Sequence, residues 1–318
     1  MAITLQRFQI PVVPPFSLYY TARVLQRLPA NRVDRSESGV YGRLLPVGER
    51  YELVTVTQSG DSEHPGVEVS ARLSPAEIAG VQATIQQLLG TALDLSPFYA
   101  MIRRNGPLLS LATALSGLKP PRFPSLFEAL ANAICGQQGN LSVGLLTMNR
   151  LAESAGSHRV IHNEKYLAFP AAEQVCRLKP DHLRVLGLSS TRAAALYELS
   201  EGFASGRLRP EEIEQLSTPH AMERLQSLSG VGAWSASYAL LRGLGRLEVF
   251  PVGDVSAART LGELLGKTPL TPEEAEAFAL QWKEYAGLLY FHLWGNRYLP
   301  EEQGRLGLSR VPVQIPLS

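Results

Sequence analysis

The sequence contains little cysteine and no long apolar run. Its 318 residues include two cysteines, Cys135 and Cys176, which are too few for a disulfide framework or a four-cysteine metal site. The six histidines form neither an HExxH motif nor another pairing at metal-ligand spacing. These absences argue against an iron–sulfur or transition-metal enzyme. No stretch approaches the roughly 18 apolar residues that a membrane-spanning helix needs, so we expect no membrane partner.

The sequence also lacks the marks of a signal peptide. Prolines interrupt the apolar opening of the chain, which has no basic segment before it and no small-residue cleavage site after it. We therefore expect a cytoplasmic protein, associated with the nucleoid if it is bacterial. The net charge of +1 is small for a nucleic-acid-binding protein, but it does not exclude one because basic side chains can cluster locally.

Residues 1–95 show a mixed pattern of strands, turns and helices. Alternation of polar and apolar residues predicts strands, clusters of turn-forming residues separate them, and apolar residues at helical spacing predict helices. The strands are predicted over 51–57 and 67–70, the turns over 35–39 and 58–62, and the helices over 18–28 and 75–90. This pattern indicates a small antiparallel sheet with helices on one side.

From residue 96 the pattern becomes helical. Apolar residues recur at the 3.6-residue period, and proline or glycine stands at many of the joins. The predicted helices cover 96–104, 107–115, 124–137, 141–155, 171–177, 180–186, 190–204, 210–216, 219–228, 233–244, 254–265, 272–281 and 283–294. The sequence thus predicts an α+β fold, with an α+β domain over 1–95 and an all-α region over 96–300. The tail over 301–318 receives no assignment.

Two glycines stand two residues apart between the predicted helices 219–228 and 233–244, in Leu228-Ser229-Gly230-Val231-Gly232. Glycine adopts the left-handed dihedrals of a tight turn and lets the backbone approach a ligand closely. The amides that open the second helix have no partner within it, so the turn could bind a phosphate. The alternative is an ordinary helix connection in which glycine caps the first helix.

An aspartate follows this turn at a distance of 22 residues from its second glycine. The apolar run that starts at Val249 ends at Pro251 and Gly253, and Asp254 then opens a predicted helix. A carboxylate at this position could act in catalysis. The alternative is a plain N-cap, because aspartate is among the best capping residues.

Together, the glycine turn and the aspartate resemble the helix-hairpin-helix DNA glycosylase superfamily. The resemblance implies that the hairpin containing Leu228, Gly230, Val231 and Gly232 grips DNA phosphates and that Asp254 is the catalytic residue. It also implies two helical subdomains that flank an active-site cleft.

Position 234 separates the branches of this superfamily. Bifunctional members carry a lysine two residues after the second hairpin glycine, and that lysine attacks the sugar, whereas this chain has Trp234 there. An indole cannot form a Schiff base, so no lyase activity is expected. A tryptophan at this position resembles the 3-methyladenine DNA glycosylase II (AlkA-like) branch. The chain has no cysteine after Cys176, so it cannot hold the C-terminal four-cysteine cluster of several other members.

Further segments resemble the same branch. Tyr238 follows Trp234 by one helical turn, and this pair together with Trp294 resembles an aromatic base pocket. A base alkylated at N3 or N7 is positively charged, so we expect these rings to attract it by cation–π contacts. Each of the three could instead be a core aromatic. The helix and loop that end at Gln137 and Gln138 resemble the element that inserts a residue into the DNA gap; the alternative is that these glutamines cap a helix.

Three positions depart from the branch. Ser229 stands where the hairpin usually has proline, and Val24 and Val255 take places that often hold aromatic residues. A pocket with fewer aromatic rings has a different shape, so the exact base preference stays open.

The resemblance implies a monofunctional DNA glycosylase that acts in base excision repair. It would flip an alkylated base, of the 3-methyladenine or 7-methylguanine type, out of duplex DNA and hydrolyse its N-glycosidic bond. Its partner would be double-stranded DNA with a damaged base, without an obligate protein partner or an organic cofactor. The resemblance allows a structural monovalent cation on the carbonyls of Gln226, Leu228 and Val231. The rival hypotheses are a bifunctional glycosylase/lyase for other damaged bases, a non-catalytic module that binds distorted DNA, and a helical interaction protein without a DNA role.

Overall fold

The computed structural model of the chain describes residues 2–137, 140–161, 163–267 and 270–299. The segment over 301–318, which receives no assignment from the sequence, lies outside them. No helix in the described ranges is long and apolar enough to span a bilayer.

A sheet of five antiparallel strands forms the first part of the chain. The strands are β1 (Thr4–Ile10), β2 (Arg35–Glu37), β3 (Val40–Val47), β4 (Arg50–Ser59) and β5 (Gly66–Leu73). Their order across the sheet is β1-β5-β4-β3-β2. Buried and less buried residues alternate along β4 and β5 because one face of the sheet covers a core. The strands predicted over 51–57 and 67–70 are therefore confirmed.

The sheet is larger than the sequence predicts. Strand β1 is an edge strand that exposes most of its side chains, so it carries little apolar alternation. The turn predicted over 35–39 is wrong in part, because Arg35–Glu37 forms β2 and pairs with β3. A strand of three residues is too short to show a period of two.

Two helices cover the buried face of the sheet, α1 (Leu18–Gln26) and α2 (Ile78–Leu89). Both are predicted from the sequence. The chain enters α2 through a capping box, in which the Ser74 amide donates to the Glu77 carboxylate at 2.8 Å. It leaves α2 at Gly90, whose φ of +63° is the left-handed conformation that glycine adopts readily.

Each helical segment predicted after residue 96 contains a helix. The helices are α3 (Ser96–Ile102), α4 (Gly106–Ala114), α5 (Leu126–Gly136), α6 (Leu141–Ala155), α7 (Ala172–Val175), α8 (Pro180–Val185), α9 (Ser190–Ala204), α10 (Pro210–Gln215), α11 (Thr218–Gln226), α12 (Ala233–Ala239), α13 (Val255–Leu264), α14 (Pro272–Leu280) and α15 (Ala286–Tyr298). A π-helical turn, Leu240–Leu244, continues α12.

The all-helical prediction for this region is wrong at one place. Strands β6 (His158–Ile161) and β7 (Glu164–Leu167) form a two-stranded hairpin between α6 and α7. The hairpin lies beside the N-terminal sheet, where Arg159 donates to the Tyr51 carbonyl and to Glu52. Its strands are short and mostly exposed, so tertiary contacts rather than an apolar pattern support them.

The helical region has two hydrophobic cores. One is formed by α5–α12, and the other by α3, α4 and α13–α15. Thus α3 and α4, although first in sequence, pack with the last three helices. The N-terminal sheet joins the first core through Arg43 of β3, which donates to Asp34 and to Glu128 of α5, each at 2.7 Å. All three side chains are buried, so losing one partner would cost about 3–5 kcal/mol.

Candidate active site

The glycine turn connects α11 to α12. Gly230 has a φ of +71°, and a Cβ added there would lie 2.4 Å from the Ala195 Cβ of α9. Both the dihedral angle and the packing therefore require glycine at this position. Gly232 differs, because it has an ordinary φ of −86° and no heavy atom within 4 Å of an added Cβ. Nothing within the described chain requires glycine at position 232.

The same turn leads directly into the first residues of α12. Leu228 is half-buried and Val231 is buried, and the Val231 amide donates to the Leu228 carbonyl at 3.1 Å. Gly232 is exposed and is the N-cap of α12. The amides in the first turn of a helix have no partner within it, so the arrangement can accept an anion.

Asp254 is the N-cap of α13, as its alternative interpretation predicts. Its Oδ1 accepts from the Ala257 amide at 2.9 Å. Its Oδ2 accepts two further bonds, from the indole Nε1 of Trp234 and from the hydroxyl of Tyr290, both at 3.1 Å. The carboxylate is therefore held by three donors from three elements. Such donors orient the group and stabilise its negative charge.

The loop before Asp254 is hydrogen-bonded to α12, the helix that follows the glycine turn. The Val252 amide donates to the Ser237 hydroxyl of α12 at 3.0 Å. Gly253 has a φ of +76°, which turns the chain into the N-cap position. The same helix carries Trp234, so α12 positions both the backbone before the aspartate and a donor to its side chain.

Tyr290 of α15 is a site residue that the sequence reasoning missed. It is 5% exposed, and burial together with the negative charge of Asp254 raises its pKa well above the usual value. The hydroxyl therefore stays protonated and remains a donor. A signal was present in the sequence, because Tyr290 precedes Trp294 by one helical turn and shares its face.

Three predicted aromatic residues line one cavity with Asp254. Trp234 and Tyr238 stack on each other, with ring centroids 5.1 Å apart and an interplanar angle of 19°. Trp294 lies on α15, and its ring centroid is 4.8 Å from that of Tyr298. The cavity has a volume of about 190 Å³. It is lined by Val24, Arg27, Asn132, Gly136, Leu141, Gly144, Met148, Trp234, Tyr238, Arg242, Asp254, Ser256, Tyr290, Phe291, Trp294 and Tyr298.

Two arginines of this cavity were not predicted. Arg27, the C-cap of α1, donates to the hydroxyl of Tyr238. Arg242, in the π-helical turn, is 3% exposed, and burial lowers its pKa from the ordinary value. An arginine inside an apolar helical pattern carries no local signal of its role, and Arg27 is 211 residues from Tyr238 in sequence.

The two valines that replace aromatic residues lie differently. Val24 is buried and lines the cavity, whereas Val255 is 62% exposed at the first position of α13. Only Val24 therefore changes the shape of the cavity.

Gln137 forms hydrogen bonds with the glycine turn and with α12. Its side-chain amide donates to the Gly230 carbonyl at 2.7 Å and to the Ser235 hydroxyl at 2.8 Å. Its carbonyl accepts from Arg192 at 3.1 Å. Insertion into DNA would require the side-chain bonds to break, so that role stays a prediction. Gln138 lies outside the described residues.

The candidate cation ligands are backbone carbonyls at the end of α11 and in the turn. The Leu228 carbonyl accepts the Val231 amide and keeps a second lone pair. Backbone oxygens of this kind suit a hard cation, and a cation on the carbonyls of Gln226, Leu228 and Val231 stays a prediction. No group of three or more His, Cys, Asp or Glu side chains in the described ranges could hold a metal.

Comparisons with known proteins find one matching family model and several similar proteins. Residues 131–284, which include the hairpin and Asp254, match the family model of the HhH-GPD superfamily base excision DNA repair protein. The chain is 31% identical to the DNA-3-methyladenine glycosylase of Bacillus subtilis over 208 residues, which is 64% of this chain and 68% of that protein.

Two further similarities extend over more of the chain. The DNA-3-methyladenine glycosylase 2 of Escherichia coli is 27% identical over 284 residues, covering 88% of this chain and 94% of that protein. The fold is similar to that of a 3-methyladenine DNA-glycosylase from Archaeoglobus fulgidus, with a TM-score of 0.79 and 22% identity. That likeness covers 96% of this chain and 100% of the other.

Proposed function

Because this chain belongs to the HhH-GPD superfamily of base excision DNA repair proteins, in its AlkA-like branch, we propose that it is a monofunctional DNA glycosylase. It hydrolyses the N-glycosidic bond of an alkylated base, of the 3-methyladenine type, in double-stranded DNA. The product is an abasic site and a free base.

The observation that carries this proposal is the position of Asp254. Its carboxylate faces the cavity, oriented by Trp234 and Tyr290. As the glycosidic bond breaks, the sugar develops the positive charge of an oxocarbenium ion. A preorganised carboxylate beside that carbon stabilises the charge and can orient the attacking water.

The glycine turn between α11 and α12 binds the DNA backbone. Gly232 is exposed and unhindered, so a phosphate can approach its backbone closely. The unpaired amides at the start of α12 then donate to phosphate oxygens, with the positive end of the helix dipole behind them. A monovalent cation on the carbonyls of Gln226, Leu228 and Val231 would add positive charge beside the same phosphate.

The cavity receives the extruded base. Removing a base from the stack costs a few kcal/mol, and stacking on the exposed aromatic surface of Trp234 and Trp294 offsets part of that cost. Among the described residues that line the cavity, Asp254 is the only carboxylic acid. A base alkylated at N3 or N7 leaves without a strong general acid, so the proposed chemistry requires no second acid and no organic cofactor.

The proposed enzyme has no lyase activity, so it does not cleave the DNA strand. Trp234 occupies the place of the lysine that bifunctional members use, and no lysine is among the described lining residues. Without an amine beside the sugar, no Schiff base forms and the strand stays intact. The bifunctional alternative predicts a covalent protein–DNA adduct on treatment with borohydride, and we expect none.

Incubation with DNA treated with dimethyl sulfate tests the proposal, with released bases identified by chromatography. We expect the chain to release 3-methyladenine and to leave abasic sites that alkali converts to strand breaks. Release of no base would reject the glycosylase, and strand breaks before alkali treatment would reject the monofunctional assignment.

The proposed partner is double-stranded DNA alone. We expect activity in a purified system without a second protein, and a cytoplasmic location, at the nucleoid in a bacterium.

A further inference from the structure

Gln137 stands at the junction of α5, α9 and the glycine turn. It is the C-cap of α5, so the chain leaves the helix at this residue. Arg192 of α9 holds its main chain, because the guanidinium donates to the carbonyls of Gln137, at 3.1 Å, and of Cys135, at 3.4 Å. The end of α5 is therefore fixed to α9 independently of the Gln137 side chain.

The side-chain amide of Gln137 uses both of its donors within the protein. An amide nitrogen carries two N–H groups, and Nε2 donates to the Gly230 carbonyl at 2.7 Å and to the Ser235 hydroxyl at 2.8 Å. Ser235 is 2% exposed, so its bond is largely shielded from water. If this side chain entered DNA, both bonds would break and a buried hydroxyl would lose its partner, which costs free energy.

The two acceptors belong to the turn and the helix that the proposed function uses. Gly230 is part of the turn proposed to bind phosphate. Ser235 is the next residue after Trp234, whose indole nitrogen donates to Asp254. The Gln137 side chain is therefore bonded both to the turn that binds the DNA backbone and to the helix that orients the carboxylate.

The cavity begins beside Gln137. The preceding residue, Gly136, lines the cavity, as does Leu141 at the start of α6. Gln137 thus joins the wall of the cavity to the glycine turn. A nucleotide whose phosphate is bound at the turn has to place its base in the cavity, so the spacing between these two parts decides whether the sugar reaches Asp254.

We propose that Gln137 is a positioning residue whose side chain stays on the protein when DNA binds and holds the cavity wall at a fixed distance from the phosphate-binding turn. This inference rests on the proposed function and adds a residue to it. Geometry of this kind affects the rate strongly, because a displacement of about 1 Å in a bound substrate can cost roughly 100-fold. The phosphate contacts themselves do not depend on Gln137, so DNA affinity should change less than the rate.

Gln137→Met separates this role from insertion into DNA. Methionine has a similar length but no donor, and it is itself one of the apolar residues that proteins insert between bases. An inserting residue should therefore tolerate the change. For a positioning residue we expect the single-turnover rate constant for 3-methyladenine release from dimethyl sulfate-treated duplex DNA, with protein in excess and saturating, to fall roughly 5- to 150-fold, the value of two hydrogen bonds between neutral groups.

Ser235→Ala tests the same contact from the protein side. Ser235 is buried, and its alanine variant loses one of the two bonds, so the rate constant should fall roughly 2- to 10-fold. In the Gln137→Met background the bond is already absent, so Ser235→Ala should lower the rate no further. A purely local disturbance of α12 would instead lower the rate equally in both backgrounds.

The measured quantities are this rate constant and the affinity for a duplex that contains a stable abasic analogue. A loss of folded protein reduces the amount of active protein but not the rate constant at saturation, so the test does not depend on equal folding. Gln174→Met is the matched control, since Gln174 accepts from the Ala171 amide at 2.9 Å and is not among the described residues that line the cavity. It should change neither quantity.

A wild-type rate constant in Gln137→Met or in Ser235→Ala would overturn the inference. So would a further loss from Ser235→Ala in the Gln137→Met background, or a loss of affinity in Gln137→Met as large as its loss of rate. Release of no base by the wild-type protein would reject the proposed function itself.

Discussion

The indole nitrogen of Trp234 donates to the Oδ2 of Asp254 over 3.1 Å. The residue at the position of a lyase lysine is therefore a fixed donor to the carboxylate proposed as catalytic. Because position 234 holds tryptophan, no lysine amine is present there to attack the sugar. The same tryptophan orients the Asp254 carboxylate, which stabilises the positive charge on the sugar.

Asp254→Asn should strongly slow base release while DNA binding is retained. The amide has no charge to stabilise the sugar, and loss of such a preorganised group costs roughly 100- to 1,000-fold in rate. Both carboxylate oxygens accept from donors, so the NH₂ group of asparagine must face a donor in either orientation. We therefore also expect a loss of about 1 kcal/mol in the free energy of unfolding.

Base release and DNA affinity, measured together, check this prediction. Asp94→Asn is a matched control, since Asp94 accepts from the Ser96 amide at 2.8 Å in a segment that does not line the cavity. Release of 3-methyladenine by Asp254→Asn at the wild-type rate would contradict the assigned role.

Gly230→Ala and Gly232→Ala should separate folding from DNA binding. Alanine at 230 meets a left-handed φ and the Ala195 side chain, so we expect a loss of about 1–3 kcal/mol in the free energy of unfolding. Alanine at 232 meets no atom of the described chain, and its stability should stay within about 0.5 kcal/mol of wild type. Its affinity for duplex DNA should fall, because the methyl group obstructs the phosphate.

Denaturant unfolding and DNA titration at one salt concentration measure the two effects. Gly232→Ala protein that binds DNA like the wild type would show that the turn does not grip phosphate.

Tyr290→Phe should slow base release without weakening DNA binding. The variant loses one of the two donors to Oδ2, and a hydrogen bond to a charged group corresponds to roughly 10- to 100-fold in rate. The ring remains, so its edge contact with Phe250, at 5.7 Å between centroids, should persist. The pKa of Tyr290 is raised, so the wild-type hydroxyl stays a donor across the neutral range.

Single-turnover release and DNA affinity distinguish a positioning role from a structural one. Tyr197→Phe removes a hydroxyl that contacts Glu201 on α9, away from the cavity, and should change neither quantity. Equal losses of rate and affinity in Tyr290→Phe would indicate damage to the cavity rather than lost orientation of Asp254.

Much of this site could be predicted from the sequence because its signals are local. The glycine spacing defines the turn, and Trp234 and Tyr238 are one helical turn apart and stack in the structure. Asp254 stands at a helix start that its own side chain caps. Each of these features depends on neighbours within a few residues, which is the range over which sequence patterns carry information.

The remaining parts depend on contacts between distant segments. Arg27 ends a helix of the N-terminal domain, yet it donates to Tyr238 of α12, which lines the same cavity. Arg242 is a charged side chain that lies over the Phe123 ring and lines the cavity, a setting that its neighbours in sequence do not indicate. The hairpin of β6 and β7 was missed for the same reason, since its support comes from the N-terminal sheet.

His292 should make the helix that carries Tyr290 and Trp294 sensitive to acid. It is fully buried, its ring centroid lies 4.8 Å from that of Phe98, and its Nδ1 donates to the Leu288 carbonyl at 2.8 Å. Burial lowers its pKa from 6.5 to about 4. The unfolded chain therefore binds a proton more readily than the folded chain between these two values. Stability should fall as the pH drops through this window, by up to about 3 kcal/mol.

Well above pH 6.5 the imidazole is neutral in both states and contributes no slope, so the effect fades as the pH rises past the unfolded pKa. His292→Leu removes the titrating group, and its free energy of unfolding should depend less on pH between about 4 and 6.5 than that of the wild type. His158→Leu, at an exposed histidine of β6, is the control and should keep the wild-type slope. Denaturant unfolding at a series of pH values measures these slopes, and equal slopes for wild type and His292→Leu would mean that the buried imidazole does not govern the acid stability of this helix.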